Sequence, residues 1–112
     1  VKVVWHNTPL SFDEYAEVFN ACLDYQKKYT ATYFITDTRN QTVISPDKRK
    51  WFETVALPGS INQGLKKAAV ISDANIFKQY YINNVMNSTK RFGLPLKVFS
   101  NENEAVNWLI ND

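Results

Sequence analysis

Of the residues that build disulfides and zinc centres, the sequence holds one cysteine, Cys22, and one histidine, His6. A lone cysteine closes no internal disulfide, so nothing in the chain marks an oxidising compartment. A structural zinc site needs four such ligands. Glycine is scarce as well: Gly59, Gly64 and Gly93 stand far apart. Dinucleotide fingerprints and P-loops cluster their glycines to let backbone approach phosphate, and no such cluster exists here. No apolar run nears the ~20 residues of a membrane span, and no signal-peptide pattern opens the chain. The first residue is Val, so a processed chain or an excerpt is expected. Charge of one sign is missing too. Thirteen basic and eleven acidic residues leave a formal net charge of +2. The lysines are scattered as Lys27-Lys28, Lys48-Arg49-Lys50, Lys66-Lys67 and Lys90-Arg91. A nucleic-acid binder gathers its cations on one face, so no nucleic-acid partner is expected.

What is present suits one folded domain. The chain has 112 residues, 45% of them hydrophobic, with three Trp, six Tyr and seven Phe. A chain of this size buries roughly two-thirds of its unfolded surface, enough for one core. Disordered sequences are poor in aromatics.

The order of elements reads β-α-β-α-β-α-β-α. Val1–His6 is apolar and β-branched, a strand. Ser11-Phe12-Asp13-Glu14 is a capping box, with Leu10 placed to staple on Tyr15. Phe12, Tyr15, Ala16, Phe19, Cys22, Leu23 and Gln26 follow steps of three and four, one buried helical stripe. Residues 32–37 read as the second strand, followed by a polar loop to Ile44. Ser45-Pro46-Asp47 opens a helix, with Trp51, Phe52 and Val55 inward. Leu57-Pro58-Gly59 is expected to break or kink it. A short continuation ends at Gly64. Residues 67–72 form a third strand, apolar without alternation, as when both faces are covered. Asp73 is placed to cap a helix with Ile76, Phe77, Tyr80, Tyr81, Val85 and Met86 inward, closed by Gly93 and Pro95. Residues 96–99 are a fourth strand. Asn101-Glu102-Asn103-Glu104 is a second capping box before Val106, Trp108, Leu109 and Ile110. Strict alternation implies a mainly parallel sheet with helices packed on it.

In parallel sheets, sites form beyond the carboxyl ends of strands, which here hold His6, Asp37, Ser72 and Ser100. The richest is Asp37-Thr38-Arg39-Asn40, where a carboxylate, a guanidinium and an amide fall within four residues. The group is able to hold a polar ligand or a partner's charge. The favoured reading is structural: Asp37 and Asn40 bonding loop backbone, and Arg39 pairing with a carboxylate. Aspartyl-phosphate chemistry needs a second carboxylate to hold metal, and Arg39 stands where it would help. His6 lacks an evident nucleophile to serve as base. Cys22 falls on the apolar helix face, where a thiol behaves as a small inert hydrophobe. Ser45, at a helix amino end, is a candidate for phosphorylation, against its ordinary role as an N-cap. Trp51 is core or the lip of a pocket. Asn40-Gln41-Thr42 and Asn87-Ser88-Thr89 match glycosylation sequons, which are frequent by chance.

Three stretches together resemble one family: Ser11-Phe12-Asp13-Glu14-Tyr15, Tyr33 through Asn40, and Val43-Ile44-Ser45-Pro46-Asp47. Gly64 through Val70 and Asn84-Val85-Met86 add to it. The chain resembles the SpoIIAA-like (STAS/Sec14-domain-like) proteins of bacteria along most of its length. That resemblance implies a mixed, mainly parallel sheet of four or five strands, helices largely on one face, and an upstream strand before Val1. It also implies a cytoplasmic binding or regulatory module that is not an enzyme. Where that family carries Asp-Ser-x-Gly, this chain has Ile44-Ser45-Pro46-Asp47, lacking both the Asp-Ser order and the glycine.

The leading expectation is a single STAS-like domain, residues 1–112, without cofactor or metal. It would meet a protein partner, or a second copy of itself, through Asp37, Arg39, Asn40, Ser45 and Trp51. The second expectation is a carrier of a lipid or other small apolar ligand, with Trp51, Phe52, Phe77, Tyr80 and Tyr81 lining a cavity. Third is an enzyme centred on Asp37 and His6, which requires both to face one cleft. An apolar cavity beneath the helices would favour the carrier. An exposed aromatic patch beside the Arg39 loop would favour the partner.

Overall fold

The computed structural model describes residues 1–41, 44–73 and 76–111, with side chains described throughout except at 76–81. Four strands, β1 (Lys2–Val4), β2 (Tyr33–Asp37), β3 (Lys67–Ile71) and β4 (Leu96–Phe99), form one sheet in the order β1-β2-β3-β4. Every pairing is parallel. The sheet therefore falls within the arrangement expected, with no antiparallel member.

This order has a direct geometric consequence. Each crossover moves the chain one strand in the same direction, and right-handed crossovers then place every connecting helix on one face. So α1 (Phe12–Tyr29), the long helix between β2 and β3, and α4 (Ile76–Arg91) share the front face. They pack on alternate strand residues, with Phe34, Ala68 and Leu96 in contact with Phe52 and Leu57. The last helix, α5 (Glu102–Ile110), completes no crossover and covers the back face. There Ala105 and Leu109 pack on Ile35, Ala69 and Ile71. With helices on both sides, all of β3 is buried, which explains its unalternated apolar run.

Local chemistry sets the helix ends. The capping box of α1 is complete: Ser11 N–H donates to Glu14 Oε1 at 2.9 Å and Glu14 N–H to Ser11 Oγ at 3.1 Å. Thr30 ends α1 in the left-handed region, at φ 53°. In the second box the forward half is formed, Glu104 N–H donating to Asn101 Oδ1 at 2.9 Å. Gly93 turns the chain after α4 at φ 71°, where a glycine is unstrained.

Three expectations are corrected. Leu57-Pro58-Gly59 does not break the second helix. α2 (Pro46–Trp51) runs through a π-helical turn (Phe52–Ala56) into α3 (Leu57–Asn62). Leu57 N–H reaches back to Phe52 O. Proline lacks a donor and crowds the carbonyl four residues back, and the wider turn accommodates both. Val55 points to solvent, because the π turn rotates Ala56 and Leu57 inward in its place. Phe12, one residue past the cap of α1, is partly exposed rather than buried. The inward positions expected at Ile76, Phe77, Tyr80 and Tyr81, and the cap of α4 between Asp73 and Ile76, lie outside the described side chains and residues.

Lys67 is the least expected core member. It is 8% exposed, and its Nζ donates to the carbonyls of Trp108, at 3.2 Å, and Leu109, at 3.5 Å. The ammonium also lies 5.1 Å from the Trp108 ring. A cation thus closes the carboxyl end of α5, where the helix dipole favours it.

The radius of gyration is 13.1 Å, the value of a compact domain of this length. Among the described residues, no helix is long and apolar enough to cross a membrane.

Candidate functional site

The front layer contains a cavity of about 70 Å³. Its floor is the sheet: Phe34, Thr36, Ala68, Val70 and Leu96. One wall is the inward stripe of α1, with Phe19, Cys22, Leu23 and Gln26. A second wall is the π turn and α3, with Phe52, Ala56, Leu57 and Ser60. α4 supplies Ile82, Val85 and Thr89. Phe77, Tyr80 and Tyr81, expected to line such a cavity, lie outside the described side chains.

Five polar side chains of this lining, Gln26, Thr36, Thr38, Ser60 and Thr89, are bonded within the protein. Gln26 Nε2 donates to Ser60 O at 2.9 Å, and Ser60 Oγ donates back to Gln26 Oε1 at 2.7 Å. Thr36 Oγ1 accepts from Trp5 Nε1 at 2.8 Å. Thr38 Oγ1 donates to Ile71 O at 2.8 Å, and Thr89 Oγ1 to Met86 O at 2.9 Å. Burial pushes the Cys22 thiol above its ordinary pKa. With its polar groups committed elsewhere, the cavity offers an occupant dispersion contacts and exclusion from water.

The loop after β2 is built differently. Asp37 is 7% exposed, and both carboxylate oxygens are taken by Arg39: Nε to Oδ1 at 2.9 Å, and Nη2 to Oδ2 at 2.7 Å. The Arg39 backbone N–H adds a third bond to Oδ1. This clamp holds the Asp37 carboxyl below its usual pKa, chiefly through the guanidinium hydrogen bonds. Arg39 thus pairs with a carboxylate, as the structural reading expects, and that carboxylate is Asp37, which also accepts from the loop backbone. Asn40 is exposed at the turn. Ser45 occupies the N-cap position of α2, yet its side chain caps nothing: Oγ donates to Asp47 Oδ1 instead. That bond also lowers the Asp47 pKa. Trp51 belongs to an aromatic cluster, about 6 Å from the rings of Phe12, Tyr15 and Phe19. It is half-buried there and does not line the large cavity.

The structure does not bring His6 and Asp37 to one pocket. His6 lines a smaller pocket of about 60 Å³ at the carboxyl end of β1, with Gln41 and Lys48, and Asp37 is not part of that lining. Nor does the sheet reverse its strand order anywhere, so it has no topological switch point, the usual origin of a crevice at strand ends.

The sequence marks the inward stripe of α1 and Phe52, and the cavity they line lies apart from the Asp37 loop, where the leading expectation sets the functional face. Ala56, Ala68 and Val70 gave no signal, because small residues on buried faces look like ordinary core. The sequence does hold small residues there, with Ala68 second in β3 and Ala56 just before the proline-bearing turn. No family model, curated protein or solved structure matches the chain.

Proposed function

We propose that this domain is a binding module for a small apolar molecule, held between the front face of the sheet and helices α1, α3 and α4. The observation that carries the reading is the apolar cavity of about 70 Å³, in whose lining Gln26, Thr36, Thr38, Ser60 and Thr89 already bond within the protein. Close packing is the rule in a chain this small, so unfilled space walled by three helices calls for an occupant. An engineered cavity of about 150 Å³ lined by aliphatic and aromatic residues admits benzene. The space here is smaller and matches a few carbons, either a short chain or the end of a longer one.

The alternative, a protein partner docked at the Asp37 loop, draws less support. Arg39 spends its charge on Asp37, and the stacked, exposed pair Tyr25 and Tyr29 lies in the last turns of α1. That end of the helix leads into the start of β2, opposite the loop that follows β2.

Native mass spectrometry of the protein purified from its own host tests the proposal. A retained apolar mass, lost in Ala68→Leu protein of unchanged fold, is the expected result. Clean apo mass, together with no shift of Val85 or Ile82 methyl resonances on titration with short alkanes and alcohols, refutes it. A stoichiometric phosphate would direct attention back to Ser45.

A further inference from the structure

The smaller pocket differs in chemistry from the large one. Trp5, Leu10 and Ile44 give it an apolar side, and His6, Gln41 and Lys48 give it donors. No carboxylate is part of its lining among the described residues.

Two side chains of this lining carry donors that no described residue takes up. Gln41 is only 9% exposed. Its backbone N–H donates to Thr38 O, but its side-chain amide bonds to no other described residue. Lys48, half-buried in the same lining, forms no ion pair among the described residues. Its acidic neighbours feel its charge but are engaged elsewhere, Glu14 with Ser11 N–H and Asp47 with Ser45 Oγ.

We infer that this pocket binds a short-chain carboxylate, with the anionic head satisfied by Lys48 and the Gln41 amide and the alkyl part resting on Leu10 and Ile44. One ammonium balances one negative charge, which suits a monoanion better than a phosphate dianion. The volume of about 60 Å³ accommodates an acid of a few heavy atoms. Trp5 lines both pockets and stands between them, its Nε1–H tied to Thr36. The anion site is therefore separate from the apolar cavity and does not depend on its being filled.

The test is a titration of isotope-labelled protein with propionate, inorganic phosphate and chloride at constant ionic strength. The readout is the Gln41 side-chain amide resonances. Propionate is expected to shift them saturably, with chloride inert and phosphate weaker. Losing a charge-assisted hydrogen bond in Lys48→Met should weaken propionate binding by about tenfold or more. Lys48→Arg should retain most of it, and Gln41→Leu should lose most of it. Both loss variants are checked for wild-type melting, and the wild-type titration stands without them. Phosphate binding more tightly than propionate would overturn the carboxylate assignment. Absence of saturable shifts with any anion, or undiminished propionate binding by folded Lys48→Met, would overturn the site. Perturbation confined to Val85 and Ile82 would also overturn it, since the acid would then occupy the apolar cavity alone.

Discussion

Filling the apolar cavity should stabilise the ligand-free protein. Ala68 is the position of choice, because it is 6% exposed, sits on β3 opposite Phe34 and Leu96, and lines the space. Unfilled volume costs about 24 cal/mol per Å³. The cavity's 70 Å³ therefore corresponds to about 1.7 kcal/mol. Ala68→Val adds two methyl carbons, each worth about 0.8 kcal/mol when buried, on a strand that favours a β-branched residue. Some of that gain is lost to side-chain adjustment, so a net stabilisation of about 1 kcal/mol is expected. In urea the midpoint should rise with the slope unchanged, and the melting temperature should rise by about 4 °C. Occupancy by small apolar ligands should fall in the same variant. Overpacking a filled core costs about 1–3 kcal/mol. Ala68→Val protein less stable than wild type by that amount would show that the space does not exist in solution.

Other outcomes follow from the same geometry. Burial holds the Cys22 thiol above its ordinary value of 9.0, so alkylation by iodoacetamide should be slow at neutral pH and still be accelerating beyond that value. An apolar ligand should slow it further, and a rate levelling off below that value would contradict the burial. Asp37 is held below its ordinary 3.8 by Arg39. A depressed carboxylate contributes stability above that value and loses it as pH falls through the native one. Asp37→Asn should therefore cost about 1 kcal/mol near neutral pH, a low figure because Arg39 is partly exposed. In urea melts the gap to wild type should close below about pH 4, and a gap constant into strong acid would sink the argument. Lys67→Met keeps the stem but removes the charge that closes α5, and should cost about 2 kcal/mol by urea midpoint. An unchanged midpoint would mean that the ammonium contributes nothing there.

The fold was largely legible because its signals are local. Ser11 with Glu14, and the unbroken apolar run of β3, each act within a few residues, and alternation of strand and helix leaves few topologies open. Asp37 and Arg39 could be paired from the sequence for the same reason, being two residues apart. The rest depends on distant chain segments meeting. The cavity exists because Ala68, Ala56 and Cys22, from three elements, leave space that larger side chains would close. Lys67 reads as a strand-edge charge until α5 folds its carboxyl end over it. Pro58 signals a helix break, and only the widening of one turn lets the helix run on.

The strand order β1-β2-β3-β4 also governs how the chain assembles. Each strand pairs with its neighbour in sequence, so every loop that must close is a single β-α-β unit, and closure entropy is met in small steps. The sheet can be laid down strand by strand as the polypeptide emerges during synthesis. Its back face, however, is covered by the last helix. Ala69 and Ile71, both 0% exposed in the finished fold, stay open to water until α5 arrives. A chain halted or cut before residue 102 would display that apolar surface, and self-association is its natural fate.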